Sequence, residues 1–297
     1  MKLSDLKDID SFQIIKDCEF SSLGLLDQKN ILQLSFIDDI KYLSEGTINS
    51  NLAGLITKKE LISLLNIDRP LGLILSDNPR ITFYKIHNYL VQNTSFYGKF
   101  FKSKRGVNTK IHQTAYISES NVKIGNNCFI GPKVTILDGT IIKDNVTIGA
   151  GTVIGTDALE CKRYGNNILP VIHAGGVLIH DNVEIKSNCC ICKSVLGGYT
   201  EIGECTKIDN LVYIAHNTKI GKRCMIIGFA MISGSAIIGD DVWIGPNVTI
   251  SNKIQIGNNA YITLGSVVTK NVLPHQRVTG NFAIDHEKFL NFIRKIR

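Results

Sequence analysis

One stretch of this 297-residue chain sets an acid and a base at a fixed spacing: Asp209-Asn210-Leu211-Val212-Tyr213-Ile214-Ala215-His216-Asn217. A histidine with an ordinary pKa near 6.5 accepts a proton at neutral pH, and a carboxylate can hold its tautomer. Such a pair suits general-base chemistry, in which a nucleophile is deprotonated, an electrophilic carbonyl is polarised and the two reactants are held together. Backbone N–H groups near Gly228 or Gly234 are candidates for polarising the carbonyl.

A six-residue rhythm must position this pair. From Ile202 to Val268 an aliphatic residue recurs every sixth position, through Ile208, Ile214, Ile220, Ile226, Ile232, Ile238, Ile244, Ile250, Ile256 and Ile262. Helices repeat at about 3.6 residues and strands at about 2, so the rhythm predicts a solenoid of short strands and turns, the hexapeptide parallel β-helix. Two positions before each ladder residue the side chain is small or β-branched, as at Thr200, Thr206, Val212, Thr218, Cys224, Ala230 and Ala236. A large aliphatic residue in a narrow prism needs such a slim neighbour. Gly203, Gly221, Gly239, Gly245 and Gly257 follow ladder residues and are read as permissive corner backbone. Three hexads per coil give about ten coils and stack residues about 18 apart. His216 then shares a column with Gly234, Asn252 and roughly Gly198, and its glycine neighbours, having no side chain, leave a groove beside the imidazole.

Residues 1–105 lack the period and read as a small α/β domain. Ile31–Ile37, Leu52–Ile56 and Leu71–Leu75 are its strands, and Asn78-Pro79 opens a helix with Phe83, Ile86, Tyr89 and Leu90 on one face. Residues 106–284 form the β-helix, whose ladder starts at Ile111 and Ile117, takes one extra residue, and runs from Ile124 to Ile154. Residues 156–176 break the period and leave the prism as a loop; the ladder resumes at Ile179 and slips near Leu196-Gly197-Gly198. Residues 285–297, with Phe289, Phe292, Ile293 and Ile296, read as a short amphipathic helix capping the last coil.

Composition narrows the partners. The charge of +7 favours anions, but the cations are scattered among acidic residues without an aromatic-basic motif, so a diphosphate-bearing small molecule is expected and nucleic acid is not. No apolar run approaches the roughly 20 residues that span a bilayer, and the acidic start MKLSDLKDID is unlike a signal peptide; a soluble, cytoplasmic protein is expected. Of eight cysteines, Cys128, Cys189 and Cys224 occupy slim inward positions as apolar fillers. Cys189, Cys190 and Cys192 lack the paired CxxC of a zinc site, so no metal is expected.

The segment IDNLVYIAHNTKIG carries a resemblance that extends from Lys2-Leu3-Ser4-Asp5-Leu6 to about residue 284. It resembles the UDP-3-O-acylglucosamine N-acyltransferases and, more loosely, other nucleotide-linked amino-sugar N-acyltransferases. The resemblance implies a left-handed β-helix, a homotrimer with active sites between subunits, His216 as catalytic base and Asp209 as the carboxylate orienting it. Phe36-Ile37-Asp38-Asp39-Ile40-Lys41-Tyr42 resembles the family's uridine-binding segment, which implies that Phe36 and Tyr42 hold the base, with Asp39 where the family has Asn. Asn217, Gly234, Asn252, Lys253 and, on the loop, Glu160 are the expected donor or acceptor contacts, with Asp157 and Tyr164 near the sugar. Lys253 stands where the family carries a second histidine, and the ending GSVVTKNVLPHQRVTGNFAI resembles coenzyme A-dependent hexapeptide enzymes, with only a short helix after it. These departures favour acyl-CoA as co-substrate, with no bound cofactor, and a dTDP- or UDP-linked amino sugar as acceptor. The alternatives are the acyl carrier protein-dependent reaction of lipid A synthesis and a non-enzymatic trimeric scaffold that binds sugar nucleotides. A three-histidine metal site of the γ-carbonic anhydrase type has only His173 and His180 close in sequence. A nucleotidyltransferase would need a Gly-rich phosphate loop that residues 1–105 lack.

Overall fold

The computed structural model describes the chain except residues 27, 29, 43–49, 66–69, 99, 281, 282, 284 and 297 and the side chains of 42 and 296. Its contacts divide into two units. One comprises Met1–Phe100, Leu159–Gly175 and Val195–Gly198, the other Phe101–Ala158, Gly176–Ser194 and Tyr199–Arg297.

The second unit is a left-handed parallel β-helix of very short strands in three sheets of nine, eight and eight. Coils therefore number eight to nine instead of about ten, because two excursions spend chain outside the prism. Ile202, Ile214, Ile226, Ile232, Ile244, Ile250 and Ile262 have no exposed surface, and neither do the slim Thr200, Thr206, Thr218, Cys224 and Ala236 beside them. Each buried isoleucine contributes about 1.5–3 kcal/mol. The threonines stay inside because their hydroxyls are satisfied: Thr206 Oγ1 donates to the Gly221 carbonyl at 2.9 Å and accepts from Cys224 N at 3.1 Å.

The corners correct one expectation. Among non-glycine residues positive φ falls most often on asparagine, as at Asn127, Asn145, Asn188, Asn217 and Asn247, which tolerates the left-handed region. Gly203, Gly221, Gly239, Gly245 and Gly257 do not adopt it. A Cβ on Gly221 would lie 2.5 Å from the Gly239 carbonyl, so glycine is needed there for the close approach of stacked coils.

The first unit holds a five-stranded sheet in the order β1–β5–β4–β3–β2: β1 (Gln13–Lys16), β2 (Ser22–Leu23), β3 (Gln33–Ile37), β4 (Leu52–Thr57) and β5 (Gly72–Leu75). Only β1 runs antiparallel to its neighbour. Helix α1 (Pro79–Asn93) is capped by Asn78, whose Oδ1 accepts from Ile81 N at 3.3 Å. Phe83, Ile86 and Leu90 are buried on its inner face, whereas Tyr89 is exposed.

The 156–176 excursion is a hairpin, Cys161–Tyr164 antiparallel to Asn167–Pro170, and residues 159–175 belong to the first unit. Asn88 holds it at both ends of its amide, donating to Pro170 O at 2.8 Å and accepting from Ile172 N at 3.0 Å. His87 Nε2–H donates to Ile172 O at 2.6 Å, so Nδ1 accepts from Tyr97 OH at 2.7 Å. Burial pushes His87 down to about 4, against the opposing hydrogen bond to Ile172. Helix α2 (His286–Ile296) does not form the expected cap, because Phe289 and Phe292 are 47% and 55% exposed. No helix among the described residues is long and apolar enough to cross a membrane.

Candidate active site

Strand register decides what lies beside His216. Ile191 pairs with Ile214, Ile214 with Ile232, Ile232 with Ile250 and Ile250 with Val268. Lys193, His216, Gly234, Asn252 and Lys270 therefore form one corner column. Gly234 and Asn252 lie where the 18-residue spacing put them, but the residue below His216 is Lys193, not Gly198. Ile191 and Ile214 are 23 residues apart, five more than one coil, and within that interval Val195–Gly198 belongs to the other unit.

The imidazole lies over Gly234. A Cβ at that position would meet His216 Cε1 and Nε2 at 2.6 Å and Nδ1 at 3.1 Å. His216 Nδ1 is 3.0 Å from Asn217 Oδ1, and Asn217 Nδ2 donates to Ser194 Oγ at 2.7 Å. An amide oxygen only accepts, so Nδ1 carries the proton and Nε2 presents its lone pair. Asn217 is fixed in turn by its backbone N–H, which donates to Thr200 Oγ1 at 2.9 Å.

Asp209 has a different environment from the one expected. Its Oδ1 accepts from Asn210 N and Nδ2, both at 2.8 Å, and its Oδ2 from Gly228 N at 3.2 Å. Asn210 Oδ1 accepts from Ser187 N at 3.0 Å, so the Asp209–Asn210 pair clamps the corner before the Tyr213–Ile214 strand, while His216 follows that strand. The contact on His216 Nδ1 is supplied by Asn217, and orientation of the ring passes from the expected carboxylate to an amide. Gly228 N is spent on Asp209; Gly234 N has no hydrogen-bond partner among the described residues.

One coil below, Lys193 Nζ sits 3.3 Å from Asp157 Oδ1 and 3.6 Å from Asp138 Oδ1, with only 13% of its side chain exposed while both carboxylates remain open to solvent. Sequence reasoning passed over Lys193, Ser194 and Asp138. Counting the slip from Ile191 to Ile214 would have placed Lys193 and Ser194 beneath His216 and Asn217. On the coils above, Asn252 and Lys253 are exposed.

The remaining expected residues lie in the first unit. Phe36 is half-buried against Phe83 and Tyr84, with ring centroids 5.0 and 6.2 Å away, and so is partly a core residue. Asp39 pairs with Lys41 at 2.8 Å, whose ammonium holds its carboxyl below the usual range. The Tyr42 side chain lies outside the described residues. Glu160 pairs with Lys162, whose ammonium sits 4.6 Å over the Tyr84 ring. Glu160 belongs to the first unit with the rest of the hairpin.

A prism of hexapeptide coils with a corner histidine over a glycine defines a hexapeptide-repeat acyltransferase. The family model for bacterial transferase hexapeptide (six repeats) matches residues 121–156 and 235–270. The UDP-3-O-acylglucosamine N-acyltransferase of Helicobacter pylori is 31% identical over 255 residues, covering 76% of this chain and 73% of that protein. UDP-3-O-acylglucosamine N-acyltransferase 1 of Legionella pneumophila is 42% identical over 247 residues, covering 68% and 66%. The solved UDP-N-acetylglucosamine acyltransferase from Campylobacter jejuni superposes with a TM-score of 0.55 at 21% identity, covering 65% of this chain and 79% of that one, and supports the fold. This chain belongs to the UDP-3-O-acylglucosamine N-acyltransferase family and is an N-acyltransferase.

Proposed function

We propose that the chain transfers an acyl group from a phosphopantetheine thioester to the amino group of a UDP-linked amino sugar, with UDP-3-O-acylglucosamine as the acceptor. The relatives' names favour this acceptor over a dTDP-linked sugar, and so favour what sequence reasoning kept as the alternative. The observation that carries the chemistry is His216 over Gly234, with Nδ1 held by Asn217. Nε2 takes the amine proton as nitrogen attacks the thioester carbon. Gly234 N–H receives the oxyanion, and the imidazolium returns the proton to the departing thiolate. Lys193 and Asp157, one coil below, offer an ammonium and a carboxylate to the acceptor's hydroxyls. Phe36 supports the nucleobase through its half-open face.

The working assembly is a homotrimer. Leu211 and Phe229 occupy left-handed corners with φ 61° and 62°, where asparagine is favoured, yet stand 45% and 63% exposed. A neighbouring copy that covers them offsets the cost of both features. A monomer at micromolar concentration with full activity in sedimentation would contradict this assembly. The function is tested by incubating the protein with UDP-3-O-acylglucosamine or a dTDP-amino sugar, each with acyl-CoA or acyl carrier protein thioester. Amide product on the UDP sugar with thiol release is expected. Turnover only with dTDP sugars, or none with any pair, would overturn it.

A further inference from the structure

We infer that Cys190 and Cys192 form a peroxide-sensitive dithiol whose closure to a disulfide moves Lys193 and Ser194 and slows turnover; the effect on turnover rests on the reading of the site above. The two cysteines flank Ile191, which is buried in the core, so alternation puts both thiols on the outer face of one strand. Cys192 stands between Cys190 and Tyr213 and is hydrogen-bonded to both, its Sγ 3.5 Å from the Tyr213 hydroxyl. The bond from Cys192 brings the half-buried Cys190 thiol down to about 7, which makes its thiolate abundant at neutral pH. Burial instead pushes the Cys18, Cys128, Cys189 and Cys224 thiols up. Cys189, although adjacent, is buried with its Sγ 3.0 Å from the Asp209 carbonyl oxygen.

Closure balances against hydrogen peroxide. The Cys190 thiolate attacks one peroxide oxygen, the O–O bond breaks, and hydroxide leaves and is protonated to water. The Cys192 sulfur then attacks the resulting sulfenic sulfur, the S–O bond breaks, and a second water carries away the Cys192 proton. The thiols lose two electrons, which reduce the peroxide. Residues two apart on a strand have Cα atoms about 6.6 Å apart, near the upper end of the roughly 4.4–6.8 Å that a disulfide spans, so closure draws Cys192 towards Cys190 by up to about 1 Å. The neighbouring strand leaves room for that shift, because its register skips Gly155 between the Ile154–Ile191 and Thr156–Cys192 pairs. Lys193 and Ser194 follow Cys192 directly and lie beneath His216 and Asn217. Ser194 Oγ accepts from the Asn217 amide whose oxygen holds the imidazole, so movement at Cys192 passes to the ring.

The test exposes the whole protein to hydrogen peroxide and then dithiothreitol, with disulfides mapped by peptide mass spectrometry. A Cys190–Cys192 bridge should form, kcat should fall about tenfold, the worth of one hydrogen bond, and dithiothreitol should restore it. Cys190→Ser and Cys192→Ala should keep the kcat of reduced wild type and lose the peroxide response. Cys190→Ser, at a half-buried position, carries the test should Cys192→Ala destabilise the strand. Peroxide that leaves these two cysteines as thiols while oxidising others, or a bridge formed with kcat unchanged, would overturn the inference. The His216 ring nitrogen shifts, followed by NMR without substrate, should move on bridging in wild type and stay fixed in both variants. If acceptor turnover fails, the mapped bridge and these shifts still decide the inference, with unmoved shifts in bridged wild type overturning it.

Discussion

Gly234→Ala is the smallest change that reaches the imidazole without touching it covalently. Gly234 does not use positive φ, so its backbone accepts alanine. The new methyl would lie 2.6 Å from His216 Cε1 and Nε2, against the 3.5–4.0 Å at which non-bonded carbon atoms rest. The ring must therefore move by about 1 Å, and a misplacement of that size costs about 10² in rate. The fold should hold, since the ring lies at a corner and the methyl restricts the unfolded chain. The assay is thiol release at saturating donor and acceptor, with the melting temperature measured in parallel. The expected result is kcat lowered about 100-fold with a melting temperature within a few degrees of wild type. A variant with wild-type kcat and an unshifted pH–rate profile would refute the placement of His216 at the reacting atoms.

Asn217→Gly keeps the left-handed corner while removing the amide that holds Nδ1; kcat should fall about tenfold, the worth of one hydrogen bond, with Ser194→Ala falling less. Equal losses in both variants, matched by loss of melting temperature, would indicate a corner defect only. Phe36→Ala should raise KM for the sugar nucleotide and leave that for the donor unchanged, because Phe36 retains an open face beyond its packing on Phe83. His87 makes stability pH-dependent: its folded pKa is depressed to about 4 from an unfolded value near 6.5, so its contribution is complete above pH 6.5 and lost as pH falls towards 4. The expected loss is about 2–3 kcal/mol, read by denaturant unfolding at pH 7 and 4.5. His87→Gln should flatten that dependence, and an unchanged pH slope would count against it.

The β-helix was legible because its signal is repeated: a ladder isoleucine with a slim partner can satisfy only a period-six prism, and Ile202 to Val268 repeats the pattern without interruption. The column of His216, Gly234 and Asn252 followed from that period alone. Lys193 did not, because a slip shifts everything beyond it and the raw count of 18 crosses the slip silently. Asn217 was recognised as a contact but not as the ring's holder, since hydrogen-bond direction at a corner depends on where Ser194 sits one coil away. Gly221 and its equivalents were assigned to turns on φ freedom, yet what excludes a Cβ there is the neighbouring coil, a long-range fact that local propensity does not carry. The hairpin at 161–170 lacked hydrophobic alternation, and its anchors, His87 and Asn88, are far away in sequence.

The central claim is that His216 Nε2 is the base of an N-acyl transfer, and the pH dependence of kcat/KM for UDP-3-O-acylglucosamine in wild type and His216→Asn tests it most directly. Wild type should show an acid limb in kcat/KM, and His216→Asn should be about 10² to 10⁴ slower with that limb gone, while nucleotide affinity and melting temperature stay close to wild type. A His216→Asn enzyme that keeps near-wild-type kcat/KM with the same acid limb between pH 6 and 9 would contradict the account.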